Sequence, residues 1–254
     1  MSFLDHLEEL RWRLVRSSIA IVLFATVIFI FREWLMDNIF MTLKSPDFPT
    51  YELLCNWFGI CVSEIKLNVQ NINMSGQFSL TLMISIVGGI VCAFPYIFWE
   101  MWNFVKPGLR QNEAKTVSGI TVYVSLLFFV GILFGFFIIA PLTVQFFGNW
   151  QLSEDIRNNI TISSYLTTIV STVFYTGLLF LLPVVIYIFS KLGIMTPAFL
   201  RKYRKHAIVV VLILAAIITP PDFISQIIVA VPILILYEVG ILISVRVEKN
   251  RKEL

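Results

Sequence analysis

The chain has 254 residues, 58% of them hydrophobic and 14% charged, with a formal net charge of +3 at pH 7. Soluble domains carry about 25% charged residues, so the composition excludes an ordinary soluble domain and points to an integral membrane protein. The net charge gives no basis for binding nucleic acid, and its distribution along the chain says more than its size.

In chain order, Leu4, Leu7, Leu10 and Leu14 recur at helical spacing with charges between them, so residues 1–16 are expected to form an amphipathic segment on the membrane surface. Asp5, Glu8 and Glu9 precede the basic residues and no small-residue cleavage pattern follows, which excludes a secretory signal. Ser17 to Phe31 is the first expected span. Residues 41–73 form a polar loop with Pro46, Pro49, Cys55 and Cys61, expected to hold a short helix. The uncharged stretch from Gly76 to Trp99 is long enough for a second span. A loop follows at residues 100–115, and in it a polar island from Phe104 to Glu113 with a Pro107-Gly108 turn, the charged residues Lys106, Arg110 and Glu113, and Asn112 placed to cap the next helix.

A helix from Thr116 to Phe147 would be about 48 Å long and is expected to bend at Pro141. Ser163 to Ser190 is the fourth span, interrupted by Pro183. After a basic loop at residues 191–206, Ile208 to Thr219 reaches only about 18 Å as helix, short of a hydrocarbon core of about 30 Å. Thr219-Pro220-Pro221-Asp222 breaks the chain, Phe223 to Val245 forms a sixth segment, and residues 246–254 are a basic tail. The expected fold is an all-α integral membrane protein, a single domain over residues 1–254 with six transmembrane helices, bent and partly short.

Charge orients this six-span arrangement. The N-terminal segment, the 100–115 loop, the 191–206 loop and the tail together hold 15 of the 19 Lys and Arg. The positive-inside rule therefore places these segments and both termini in the cytoplasm, and residues 41–73 outside. In that outer loop the compartment permits a Cys55–Cys61 disulfide, although spacing alone does not show that the two can meet. Cys92, inside the second span, reads as a small buried hydrophobe.

Three motifs stand out: His6-Leu-Glu-Glu9-Leu-Arg11-Trp-Arg13, Phe104-Val-Lys-Pro107-Gly-Leu109-Arg-Gln-Asn-Glu113, and Thr219-Pro-Pro-Asp222-Phe-Ile-Ser-Gln226. In this order, along a six-span chain, they resemble the TatC family, the polytopic component of the twin-arginine protein translocase. The resemblance implies a receptor, not an enzyme, in the bacterial cytoplasmic membrane. It would bind Arg-Arg signal peptides of folded proteins and start their proton-motive-force-driven export, with no cofactor or metal. It also implies assembly with the single-span subunits TatA and, where present, TatB, and with further copies of the chain. The signal-reading residues would be Glu9 and Glu113, within a site including Arg11, Arg13, Phe104, Pro107 and Leu109. Carboxylates suit this task, because a planar guanidinium pairs with them bidentately whereas an ammonium is a point charge.

Each residue also has a plainer reading. Glu9 lies four residues before Arg13 on one helix face, the spacing of a surface ion pair. Glu113 falls in a helical first turn, where the helix dipole favours an acid. Gln226, Glu238 and Asp222 are the polar residues near the last two apolar segments. Glu238 reads as the acid flanked on both sides by apolar sequence and needs a partner or an interfacial position. Gln226 suits a hydrogen bond between helices. Ser164, Thr168, Ser171 and Tyr175 make a polar stripe on the fourth span.

Two departures from the family stand out. Leu181 and Leu182 occupy the place ahead of Pro183 where it commonly carries a polar residue, and Met41-Thr42-Leu43 lacks its proline after the first span. A secondary transporter of a small solute is the alternative, but no internal repeat supports it. The two histidines, His6 and His206, form no metal motif.

Overall fold

The computed structural model describes residues 3–58, 68–105, 119–153, 159–219 and 223–252. The elements in order are α1 (Phe3–Ile30), α2 (Arg32–Leu35) running into a π turn at Met36–Phe40 and a 3-10 turn at Met41–Lys44, α3 (Pro49–Phe58), β1 (Asn68–Gln70) and α4 (Gly76–Val105). Then come α5 (Ile120–Phe134), a π turn at Gly135–Ile139, α6 (Ala140–Asn149), β2 (Asn159–Thr161), α7 (Ile162–Leu179), α8 (Leu182–Lys191), α9 (Pro197–Lys202), α10 (Arg204–Ile218) and α11 (Phe223–Lys252).

Among the described residues, five helical stretches are long and apolar enough to cross a membrane: Leu7–Ile30, Gly76–Phe104, Ile120–Asn149, Ile162–Lys191 and Gln226–Lys249. The remaining segment, α10, fifth in chain order, has 15 residues and reaches about 22 Å. The fold is the expected all-α, six-span architecture with one short member. Two boundaries differ from expectation. The amphipathic start and the first span are one continuous helix, because no helix breaker separates Leu14 from Ser17. The second span runs on to Val105 rather than stopping at Trp99, its surface continued by Phe94, Phe98 and Trp102 stacked at four-residue spacing.

Close contacts separate the chain into two compact units. The first comprises Met1–Thr42, Val69–Leu126 and Ile160–Val170. Its backbone is the pairing of α1 with α4, which two glycines bring close together. A Cβ at Gly89 would lie 2.8 Å from the Ile21 carbonyl oxygen and 2.9 Å from the Ala25 nitrogen, and one at Gly88 would lie 2.8 Å from Ile28 Cδ1. Small residues are how helices approach in lipid, where apolar burial supplies little driving force between them. The buried Tyr165 hydroxyl donates to the Phe40 carbonyl at 2.8 Å, tying α7 to the end of the first π turn.

The second unit comprises Leu43–Asn68, Leu127–Asn159 and Ser171–Leu254. Pro141 has no N–H, so the Phe137 carbonyl four residues earlier loses its helical donor. The helix answers with the π turn at Gly135–Ile139, and the Thr50 hydroxyl of α3 donates to that carbonyl. Beside it, the buried Tyr51 hydroxyl lies 2.9 Å from the Pro141 carbonyl oxygen and 3.0 Å from that of Leu43. The ring of Phe48 packs against Phe136 and Phe137. The irregularity expected at Pro141 is therefore a π turn sealed by the short helix expected in the 41–73 loop.

Pro183 likewise splits the fourth span into α7 and α8. Around α10 and α11 the core is Ile139, Val211, Ala215, Val229, Ala230 and Ile233, with a second cluster of Ile186, Leu200, Tyr237 and Ile241. A buried hydrogen bond of 2.8 Å joins Ser190 to Ser244. Gly193, at φ 76°, closes α8 in the left-handed conformation that glycine adopts without strain.

Candidate functional site: a buried ion cluster between two helices

Glu9, Arg13 and Arg16 stand at offsets of four and three, one face of α1, and Tyr96 and Glu100 stand four apart on α4. The α1–α4 pairing brings these faces together. Arg13 Nε donates to Glu9 Oε1 at 3.1 Å and Nη2 donates to the same oxygen. Arg13 Nη1 donates to Glu100 Oε2 at 3.0 Å and to the Glu100 carbonyl oxygen at 3.2 Å. On its other oxygen Glu100 accepts from the Tyr96 hydroxyl at 3.0 Å and pairs with Arg16 Nη1 at 3.8 Å.

The Glu100 side chain is 1% exposed, that of Arg13 17% and that of Glu9 29%, so the cluster grades from buried to accessible. A carboxylate this buried is tolerated only when paired and hydrogen-bonded, and Glu100 has both Arg13 and Tyr96. One arginine fork bridges two acids, which a lysine ammonium would do with less defined geometry. Glu9 thus makes the ion pair its spacing suggested, but on a helix face packed against α4. All of Arg13's bonds to it fall on Oε1, so Oε2 has no hydrogen bond among the described residues.

Glu100 is the residue that sequence reasoning missed. Ending the second span at Trp99 put this acid in a loop. Its signal was present nonetheless: a lone acid between apolar neighbours, four residues after a tyrosine and six before the next charge, Lys106.

The remaining expected residues are distributed as follows. Arg11 is exposed, 3.9 Å from Glu8, with its guanidinium 5.7 Å from the Trp12 ring centre. Phe104, expected in a loop, sits half-buried in the last turn of α4. Pro107, Leu109 and Glu113 lie outside the described residues, as does Asp222. Gln226 Nε2 donates to the Leu212 carbonyl oxygen at 3.0 Å, a helix-to-helix bond. Glu238 accepts from Arg204 Nη2 at 2.6 Å, with both side chains about half exposed. On the fourth span, Ser164 and Tyr175 of the expected stripe are exposed. Besides Tyr165 and Ser190, the span's buried hydroxyls include Thr172, which donates to the Ile218 carbonyl, and Thr176, which donates to that of Thr172. Leu181, at the start of α8, makes no capping bond. Cys55 is disulfide-bonded and Cys92 is free, while Cys61 lies outside the described residues. Among the described residues no group of three His, Cys, Asp or Glu is placed to hold a metal.

Residues 5–232 match the family described as Sec-independent protein translocase protein (TatC). The chain is 36% identical over 259 residues to the Sec-independent protein translocase protein TatC of Blattabacterium sp. subsp. Periplaneta americana, covering 99% of this chain and 97% of that one. It is 37% identical over 247 residues to TatCy of Bacillus subtilis, covering 96% and 89%. A crystal structure of a twin-arginine translocase receptor TatC superposes with a TM-score of 0.72 at 27% identity, covering 96% of this chain and 99% of that chain.

Proposed function

Because the chain belongs to the TatC family and is the multi-pass core subunit of a twin-arginine translocase, we propose that it is the receptor for Arg-Arg signal peptides of folded proteins. Glu9 and Glu113 are the carboxylates that hold the arginine pair. Arg11, Arg13, Phe104, Pro107 and Leu109 shape the surrounding surface. The observation that carries this reading is the state of Glu9: partly exposed, anchored through Oε1, and with Oε2 available to a second guanidinium. A guanidinium arriving at a partly desolvated carboxylate gains a charge-assisted hydrogen bond worth more than a fully exposed one.

The charge distribution supports N-in and C-in topology in a bacterial cytoplasmic membrane, so that the site meets its ligand before translocation. Residues 1–254 act as one six-span domain, a reading supported by the single family match over residues 5–232. TatA and TatB assemble with the loaded receptor, in an oligomer of this chain, and the proton-motive force drives transfer. Asp222, Gln226 and Glu238 serve as polar contacts to partner helices.

The test is crosslinking of an Arg-Arg signal peptide and a Lys-Lys counterpart to the membrane-embedded protein. The Arg-Arg peptide is expected to label strongly, the Lys-Lys peptide weakly, and Glu9→Ala or Glu113→Ala to remove the difference. Equal labelling by both peptides, unchanged in either variant, overturns the proposal.

A further inference from the structure

We infer that Glu100, which no sequence motif marks, is a positioning residue for signal recognition: it neutralises Arg13 and Arg16 so that Glu9 remains able to accept a guanidinium from outside the chain. The inference rests on the receptor reading and adds to it a residue that does not itself touch the ligand. Three features of the cluster carry it.

The first is charge. Glu9 and Glu100 balance Arg13 and Arg16, so the cluster is neutral with Glu100 and carries +1 without it. An arginine pair approaching a +1 cluster is repelled, and the low dielectric around a side chain that is 1% exposed leaves this repulsion poorly screened.

Connectivity is the second feature. Arg13 holds Glu9 by Nε and Nη2 and Glu100 by Nη1, so a single planar group fixes the separation of the two acids. Without the Glu100 carboxylate, the whole Arg13 charge falls on Glu9, and on the α4 side the fork keeps only uncharged acceptors such as the carbonyl oxygen of residue 100. Glu9 then becomes an ordinary internal ion pair with little attraction left for a ligand.

The third is depth. Glu100 is too buried to meet the signal peptide, whereas Glu9 and the 61%-exposed Arg16 are accessible. The buried acid therefore acts through its arginines, and its role is electrostatic as well as structural. That distinction is measurable, because the charge of Glu100 can be compensated at Arg16 without restoring any packing.

The experiment measures affinity of the purified full-length protein for a labelled Arg-Arg signal peptide at low ionic strength, for the parent chain and for Glu100→Gln, Arg16→Gln, the double variant and Glu9→Gln. Glutamine keeps the shape of Glu100 and an acceptor for Arg13 while removing the charge. Glu100→Gln is expected to weaken binding on the order of tenfold. The double variant, neutral again, is expected to return to within about twofold of the parent, and Arg16→Gln alone to bind about threefold more tightly.

Unchanged binding in Glu100→Gln overturns the inference, and so does a loss that the double variant fails to restore, which would mean that Glu100 only packs the helices. Should Glu100→Gln not accumulate as folded protein, Arg16→Gln alone decides: tighter binding supports the inference and unchanged binding overturns it. Glu9→Gln separates the two claims. If it binds normally, the assignment of Glu9 as an arginine-holding carboxylate fails and the inference with it; if it loses binding while Glu100→Gln does not, only the role of Glu100 fails.

Discussion

Two arginine–glutamate contacts in this chain have similar chemistry and opposite settings. At Glu100 the acid is 1% exposed, shared between two arginines and a tyrosine, and linked through Arg13 to a second acid. At Glu238 the acid is 51% exposed and pairs with Arg204, itself 47% exposed, at 2.6 Å. The shorter distance belongs to the weaker site. Exposure lets water and salt compete for both partners, so a short exposed pair contributes little, while a buried one is costly to break because it leaves an uncompensated charge. The difference shows that burial and connectivity, rather than separation, decide which ion pair organises its surroundings.

The largest expected effect tests the buried side of that contrast. Glu100→Ala leaves Arg13 half-paired against α4 and should destabilise the protein by about 3–5 kcal/mol, read from its unfolding by SDS titration in mixed micelles. A smaller loss would mean that water reaches the cluster more freely than its burial indicates. Gly89→Leu breaks the contrast without touching a charge. Its side chain would meet backbone atoms of α1 at Ile21 and Ala25, so overpacking should cost about 1–3 kcal/mol by the same titration. It should also weaken Arg-Arg peptide binding, because the faces carrying Arg13 and Glu100 are pushed apart. Retained affinity in a destabilised Gly89→Leu protein would show that the cluster tolerates a looser helix pair. The smallest effect is at Glu238. Glu238→Gln should change stability by no more than about 0.5 kcal/mol, a difference that disappears as ionic strength rises.

The difference between these sites also marks what the sequence made legible. Length and hydropathy set out six segments, with Ile208 to Thr219 already too short, and α10 is the short helix that results. Two proline positions were equally readable, since Pro141 and Pro183 each interrupt their span, whereas Pro95 and Pro232 lie within the continuous helices α4 and α11. What escaped was the identity of the buried acid. A carboxylate at the edge of an apolar run looks like the start of a loop until its cations are known, and Arg13 and Arg16 stand more than 80 positions earlier in the chain. Glu9 and Arg13 were legible as neighbours by helical spacing, but not that the same arginine reaches a second acid. The hydroxyl stripe was legible as a face but not in its covering: spacing does not say which face is packed, and Ser164 and Tyr175 are exposed while Thr172 and Thr176, off the stripe, are buried.

The Thr50 contact with the Phe137 carbonyl bears on how the chain is made. The two residues are 87 positions apart, with the donor first. As the chain leaves the ribosome, the short helix carrying Thr50 exists well before the stretch that Pro141 interrupts. A backbone carbonyl without a partner is costly where lipid surrounds the chain, and here its donor has been synthesised before it emerges. The order of the gene therefore suits membrane insertion. A circular permutant that placed residues 43–58 after α6 would keep every contact of the folded protein and lose that advantage, entering the bilayer with the carbonyl still waiting.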